Sequence, residues 1–341
     1  MIFRSKAPLR IGLAGGGTDV SPYCDLYGGA ILNTTISLSA YASIEILEEP
    51  KIVLQALDRL EQQEFNWDTA LPIDGTLNLL KGVYNRIQKD YGIKKSGIRL
   101  STFVDAPAGS GLGTSSTLVV AILGAFMEML RLPFSPYDAA HYAYDIERKD
   151  LKLTGGRQDQ YAATFGGVNF MEFYEEDKVI VNPLRIREEY MNELENNLLL
   201  YFTSTSRESA AIINEQVSNV NKKNEKSIEA MHQLKEQAKM MKEALLKGKL
   251  NEIGEILDYG FQQKRLMAHN ISNSNIEEVY EAAKKSGATG GKISGAGGGG
   301  FMIFYCPVNA KYKVMQTLKN FGGEVKKYSF NHQGLSTWTV K

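Results

Sequence analysis

Ile98, Leu100, Thr102 and Val104 fall on every second position among mostly polar neighbours, a period that predicts a half-buried strand. Thr117–Leu132 carries almost no charge before Glu128 and predicts a buried helix. Asn78–Tyr91 sets Leu79, Leu80, Val83 and Ile87 at helical spacing, and Tyr137–Glu147 reads as another helix leading into the Thr154-Gly-Gly turn. Ala30–Ile36, Ala40–Leu47 and Lys51–Leu57 are β-branched or alternating and predict strands and hairpins, as does Gly166–Phe173. The texture changes after Pro183. From Glu208 to Lys249 the chain is polar and helical, with Ile228, Met231, Leu234, Ala238, Met241 and Leu245 on one stripe, which predicts one or two long amphipathic helices. A helix over Asn275–Ser286 follows, then strands around Gly290–Ser294 and Phe301–Cys306, with Val325–Ser329 and Ser336–Val340 as closing strands. The length suggests one large domain or two ordinary ones, with the natural boundary near 185–200, after Pro183.

Glycine interrupts the pattern at three places. Of the 32 glycines, four lie within 12–17, three within 109–113 and seven within 290–300. Three such clusters suggest several backbone segments converging on one ligand. The middle cluster, Pro107-Ala-Gly-Ser-Gly-Leu-Gly-Thr-Ser-Ser116, lies between the predicted strand and the buried helix. Glycines at 109, 111 and 113 let the backbone approach a ligand and adopt dihedrals that a Cβ forbids. The turn then offers free N–H groups and the positive end of a helix dipole at one point, which makes an anion site. Thr114, Ser115 and Ser116 add hydroxyls for phosphate oxygens or a metal. Pro107, Gly109, Ser110, Gly111, Leu112 and Gly113 are therefore read, with those three hydroxyl residues, as a nucleotide-phosphate cradle. No Lys follows the glycines as in a Walker A loop, no dinucleotide fingerprint fits, and the HRD and DFG signatures of protein kinases are missing.

The N-terminal segment runs from a strand into a glycine-rich turn, with Arg10 on the strand, Gly16, Gly17 and Thr18 in the turn, and Asp19 just past it. A fixed Arg and an exposed Asp suit a sugar or polyol, because a carboxylate accepts paired hydroxyl hydrogen bonds. An Asx-turn for Asp19 and a surface ion pair for Arg10 are the alternatives. Glu147 and Asp159 bracket another turn. Phosphoryl transfer to a hydroxyl needs a carboxylate near the nucleophile and another group on the metal, which makes both candidates; a solvated Glu147 beside Arg148 and Lys149 is the competing reading. The late segment Gly291–Phe301 contains GxGxxG at 295–300. It lies between two predicted strands rather than at the head of a helix, so a second loop over phosphates or substrate, including Gly295, Gly297 and Gly298, fits better than a dinucleotide site.

Composition narrows the partners. The 341 residues are 43% hydrophobic and 23% charged with zero formal net charge, so the chain lacks the basic excess expected of a protein held to nucleic acid or an anionic membrane. Cys24 and Cys306 stand far apart without metal-ligand spacing, and the four histidines are scattered, which argues against a zinc site and for a reduced, cytoplasmic protein. No stretch approaches the roughly eighteen apolar residues of a membrane span, and the N-terminus lacks a signal-peptide core.

Three segments in this order, Pro-x-Arg…Gly-Gly-Gly-Thr-Asp, Pro-x-x-x-Gly-Leu-Gly-x-Ser-Ser and Lys-x-Ser-Gly-Ala-Gly-Gly-Gly-Gly, resemble the motifs of the superfamily named for galactokinase, homoserine kinase, mevalonate kinase and phosphomevalonate kinase. The resemblance implies an α/β (α+β) fold of two domains, residues 1–190 and 191–341, with a ribosomal-protein-S5-like N-terminal domain, a ferredoxin-like C-terminal domain and an active site between them. It further implies ATP phosphates on Pro107–Ser116, Mg2+ held by Ser115 and Glu147, and Asp159 as the base or the group orienting the acceptor hydroxyl. By the same resemblance, Arg10 polarises that hydroxyl and Asp19 recognises sugar hydroxyls. Thr114-Ser115-Ser116 stands where Ser-Ser-Ala is commoner, so the hydroxyl that meets the metal stays open. Within the superfamily, Arg10–Tyr23 and Gly155–Ala163 look most like kinases acting on the anomeric hydroxyl of D-glycero-D-manno-heptose 7-phosphate, with fucokinase-like domains next. A substrate phosphate would call for local cations, for which Lys6, Arg157, Arg207 and Lys292 are candidates. A nucleotide- and sugar-binding sensor on the same fold could lose Asp159, Glu147 or Arg10; this chain keeps all three.

Overall fold

The computed structural model describes residues 1–67, 70–93, 97–204 and 209–341. Its larger sheet is built on two long antiparallel strands, β1 (Ile2–Ala14) and β2 (Gly29–Leu47). The two strands expected at 30–36 and 40–47 are one continuous strand, because β2 serves different partners at its two ends. Its first part pairs with β6 (Val168–Phe173) and its second with β5 (Gly97–Val104). β3 (Lys51–Ala56) lies parallel to β5 and pairs with β4 (Glu61–Asn66), while β7 (Val179–Pro183) pairs with β6. β4 reads Glu-Gln-Gln-Glu-Phe-Asn and sits exposed at the edge, so no hydrophobic alternation announces it.

The smaller sheet is antiparallel, in the order β11 (Glu324–Val325), β8 (Leu198–Phe202), β10 (Phe301–Tyr305), β9 (Gly290–Ile293). These four strands lie beyond residue 191, but β12 (Ser336–Val340), also beyond it, returns to the first sheet and pairs with β1. The closing strand expected over Val325–Ser329 is only the two residues of β11.

In the first part the helices are α1 (Tyr23–Tyr27), α2 (Asn78–Tyr91), α3 (Thr114–Leu130), α4 (Pro136–Asp145) and α5 (Gln158–Phe165). α3 is apolar all round because it is covered on all sides: Val119, Val120, Ile122, Leu123 and Phe126 are fully buried against the large sheet and its neighbouring helices. The second part holds α6 (Glu188–Asn197), α7 (Ser209–Asn221), α8 (Glu225–Lys247), α9 (Ile253–Arg265), α10 (Ser274–Ser286) and α11 (Ala310–Leu318). The polar stretch at 208–249 is two helices. The break comes at Asn224, whose side chain accepts the Ser227 N–H at 3.1 Å and starts α8 afresh.

The stripe on α8 is divided. Met231 and Leu234 pack in the core under the small sheet, while Ala238, Met241 and Leu245 pack in the core of the large one. With each such fully buried Leu or Met contributing roughly 1.5–3 kcal/mol, α8 fastens the two halves and fixes the cleft between them. Among the described residues no helix is long and apolar enough to cross a membrane.

Candidate active site

One cleft between the two halves is lined by residues of all three glycine clusters. β1 supplies the first. Its register against β2 slips between Pro8 and Arg10 and again between Gly12 and Ala14, and such bulges bend a strand and re-aim its side chains. The Arg10 N–H leaves the sheet and donates to the Leu112 carbonyl at 3.1 Å. The Arg10 guanidinium, on a residue 3% exposed, donates to the Gly111 carbonyl at 2.5 Å. It also meets Asp159 Oδ1 through Nε at 2.8 Å and Nη2 at 2.7 Å. Arg10 therefore forms an internal ion pair, and the surface pair considered from the sequence does not occur.

Asp159 comes from the first turn of α5, a helix capped from elsewhere in the chain. Asp19 Oδ2 accepts the N–H groups of Arg157 at 2.9 Å and Gln158 at 3.0 Å. A Cβ at Gly156 would stand 1.9 Å from that carboxylate, so the approach requires glycine. Burial is the largest influence on Asp19 and pushes its carboxyl above the ordinary range, against the pull of the Gln158 N–H. One oxygen of Asp19 is thus occupied by the helix cap. Thr18 lies behind it, fully buried and bonded to Gly15 and Ala30, while Gly17 rather than Gly16 faces the cleft.

The middle loop alternates. Gly109, Gly111 and Gly113 have φ of +72°, +83° and +76° and line the cleft, whereas the residues between them anchor it. Ser110 Oγ bonds Thr114 Oγ1 at 2.9 Å and its carbonyl accepts from the Phe301 N–H at 2.8 Å; Leu112 lies in the hydrophobic core. Left-handed and anchored residues in alternation make a concave run of N–H groups ahead of α3, which has no side-chain cap of its own. Pro107 sits exposed, outside the cleft lining. Of the three hydroxyls, Thr114 is turned to Ser110 and Ser116 accepts from Gln160 Nε2 at 3.1 Å, leaving Ser115 exposed at the cleft.

Helix α4 ends at Asp145 and runs on as a single π turn, Ile146–Asp150, closed by the Leu151 N–H on the Ile146 carbonyl at 2.9 Å. Such a widened turn is often found at functional sites. Here it carries Glu147, 1% exposed rather than solvated, against Gln160 Nε2, with Arg148 3.6 Å away. A buried carboxylate held by an amide, together with the exposed Ser115 hydroxyl, suits Mg2+, which takes one or two carboxylates and fills its shell with phosphate oxygens and water. Among the described residues no three His, Cys, Asp or Glu side chains gather as a metal site, and an ion at Glu147 and Ser115 would need its remaining ligands from phosphate and water.

The third cluster is mostly structural. Gly295 lines the cleft, but a Cβ on it would stand 2.7 Å from Gly111 Cα, and Ser294 Oγ donates to the Gly111 carbonyl at 2.8 Å. Gly297 and Gly298 are buried away from the cleft, with the Gly298 N–H on the Ile271 carbonyl at 2.8 Å. The loop buttresses the phosphate loop from behind.

The expected cations scatter. Lys6 lies 5.6 Å over the Tyr41 ring in a separate groove, and Arg157 is paired with Asp25 at 2.9 Å and Asp177 at 3.0 Å. Lys292 is buried with its Nζ on the Gly12 carbonyl at 2.9 Å, and burial holds its pKa well below the ordinary value. Arg207 lies outside the described residues. Sequence reasoning missed Lys264 of α9 and Gln216 of α7, which both line the cleft. Burial, followed by the nearby Arg10, brings Lys264 down to about 8. The available signal was its position: Leu257 and Phe261 put it on the buried stripe of α9, where a lysine is out of place.

The sequence profile described as GHMP kinases N terminal domain matches residues 78–167, and that described as GHMP kinases C terminal matches residues 241–322. A D-glycero-alpha-D-manno-heptose 7-phosphate kinase of Campylobacter jejuni is 44% identical over 337 residues, covering 99% of both chains. The crystal structure of a D-glycero-D-manno-heptose 1-phosphate kinase from Bacteroides thetaiotaomicron superposes with a TM-score of 0.85 at 44% identity, again covering 99% of both. An L-fucokinase/L-fucose-1-P guanylyltransferase of Bacteroides fragilis is 27% identical over 87% of this chain and only 34% of its own length.

Proposed function

The chain belongs to the GHMP kinases, and from that premise we propose that it transfers the γ-phosphoryl group of ATP to the anomeric hydroxyl of D-glycero-D-manno-heptose 7-phosphate. The products are the 1,7-bisphosphate and ADP. The observation that carries this reading is the Arg10–Asp159 ion pair at the edge of a phosphate loop whose N–H groups and Ser115 hydroxyl are open, in a chain alike end to end to a heptose 7-phosphate kinase. The fucokinase alternative rests on lower identity and a partial match.

In the proposed reaction the phosphate loop and the head of α3 hold the nucleotide phosphates. Glu147 and Ser115 would hold Mg2+, whose charge would offset that of those phosphates. Asp159 accepts the hydrogen bond of the acceptor hydroxyl and aims its oxygen at the γ-phosphorus; as the new O–P bond forms and the bond to the ADP oxygen breaks, the hydroxyl proton passes to Asp159 or through it to water. Arg10, fixed by Gly111, keeps Asp159 in place. Most of the rate enhancement then comes from positioning and electrostatics, as is general for phosphoryl transfer. The free oxygen of Asp19 takes a sugar hydroxyl.

The test is ADP release with five acceptors: heptose 7-phosphate, heptose 1-phosphate, free heptose, L-fucose and D-galactose. The 7-phosphate should lead in kcat/KM by roughly 10²-fold or more, since sites built to pair a polar group reject analogues lacking it. Equal kcat/KM for L-fucose would favour the fucokinase reading, and preference for the 1-phosphate would reverse the order of the two phosphorylations.

A further inference from the structure

Lys264 and Gln216 have no part in the phosphotransfer chemistry described above, yet both reach the cleft from the second half of the molecule. Each is 2% exposed. Both face the bare side of the N-terminal glycine loop. A Cβ at Gly16 would stand 3.7 Å from Lys264 Nζ and 4.0 Å from Lys292 Nζ, and one at Gly17 would stand 3.6 Å from Gln216 Oε1. The missing side chain at Gly16 leaves room in front of Lys264 Nζ, whereas Met267 Cε, 2.6 Å from the Cβ position of Gly17, fills the space beside Gln216 Oε1.

Both groups also have donors to spare. An ammonium carries three N–H donors, and among the described residues Lys264 gives one to the Gly295 carbonyl and forms no ion pair with a carboxylate. Among the described residues Gln216 Nε2 is buried without a hydrogen-bond partner. Lys292 places a second buried lysine nitrogen behind the same loop. An unpaired buried cation and an unpaired buried amide are both costly, and one anion entering the cleft relieves both costs at once. The nucleotide phosphates have their own donors around Gly109–Ser115. Arg10 stands between the two places, bonded to Gly111 on one side and close enough to Lys264 to affect it on the other.

We propose that Lys264 Nζ and Gln216 Nε2 seat the phosphate that the acceptor already carries when it arrives, making them the residues that select a sugar phosphate over a free sugar. The proposal rests on the reading of the acceptor as a sugar phosphate. It assigns acceptor selection to helices α7 and α9 of the second half, while the reacting hydroxyl is handled by Asp159 of the first.

Steady-state kinetics of the full chain tests it, using D-glycero-D-manno-heptose 7-phosphate and the free heptose as acceptors, with ATP also varied. Lys264→Met should raise KM for the 7-phosphate roughly 10- to 100-fold, the effect of losing a charge-assisted hydrogen bond. KM for ATP and kcat/KM for the free heptose should stay near wild type, so that the preference for the phosphorylated sugar collapses. Gln216→Leu should act in the same direction by about 10-fold. It removes a buried group that has no partner, so it keeps the test decisive if Lys264→Met does not fold. A rise in KM for ATP instead would assign Lys264 to the nucleotide, and wild-type preference in both variants would remove the seat altogether. Wild-type enzyme that takes free heptose as well as the 7-phosphate would overturn the substrate reading itself, before any variant is made.

Discussion

The phosphate loop and the third glycine cluster are alike in composition and opposite in use. Around Gly109, Gly111 and Gly113, anchored residues alternate with left-handed glycines that face the cleft, and an uncapped helix follows. Around Gly297–Gly300 the glycines are buried, and the space a Cβ would need is taken by other backbone: Ile271 at 2.9 Å from Gly297 and the Ser110 carbonyl at 2.4 Å from Gly300. The middle run shows backbone to the cleft on one side and packs on the third cluster on the other, where the Ser294 carbonyl stands 2.5 Å from a Cβ on Gly111, while Gly297 and Gly300 bring backbone to backbone. Glycine density announces a close approach without saying to what; the hydroxyls and the helix head that follow the first run, against a fully paired strand after the second, make the distinction.

Four substitutions and a pH profile probe that difference, and the largest effect lies just outside both loops. Asp159, whose Cγ would be 3.1 Å from a Cβ on Gly113, faces the open loop directly. Asp159→Asn should lower kcat by roughly 10²–10⁴, with ATP affinity, measured by nucleotide titration, nearly unchanged. Near wild-type kcat would remove Asp159 from the chemistry.

Gly300→Ala should be mainly a stability variant. Its φ of +89° disfavours a side chain and its Cβ collides with the Ser110 carbonyl, so a loss of roughly 2–4 kcal/mol in denaturant unfolding is expected. Wild-type stability there would mean that the buttress is not holding the loop.

Ser115→Ala should have the reverse profile. The exposed hydroxyl supports no fold contact, so Tm should stay put while the Mg2+ concentration for half-maximal rate rises and kcat/KM for ATP falls by about 10-fold. Ser116→Ala, which leaves Gln160 Nε2 with Glu147 as its remaining partner, should instead cost about 1 kcal/mol of stability. An exchange of these two profiles would move the metal to the other hydroxyl.

The smallest effect is in pH. Lys264 titrates at about 8 in the folded chain against 10.5 for a free lysine. Between these values the unfolded chain binds the extra proton, so this residue's contribution to stability rises as pH goes from about 8 to 10.5. The ammonium needed for a substrate phosphate is lost over the same range, and KM for the sugar phosphate should climb above pH 8 in wild type but not in Lys264→Met.

Much of this was legible in the sequence. α2 and the strands flanking the third glycine cluster sit where their periodicity puts them, and the three glycine motifs, Arg10, Asp159 and Glu147 carry recognisable local signatures. β4 was hidden because an edge strand of polar residues has no hydrophobic period. Asp19 as a distant cap on α5, and the pairing of β12 with β1, depend on contacts across the whole chain that no local pattern records. Gln216 was hidden for a similar reason, since it is an ordinary polar residue of an amphipathic helix until the fold lays it against the glycine loop, whereas Lys264 stood out as a lysine on the buried stripe of α9.

The most direct test of the account is the identity of the product. With ATP, Mg2+ and D-glycero-D-manno-heptose 7-phosphate, 31P NMR should show one new sugar phosphorus signal split by the anomeric proton, growing in step with ADP while the 7-phosphate signal persists. Inorganic phosphate released without that signal, or a new phosphate coupled to any other sugar proton, would contradict it.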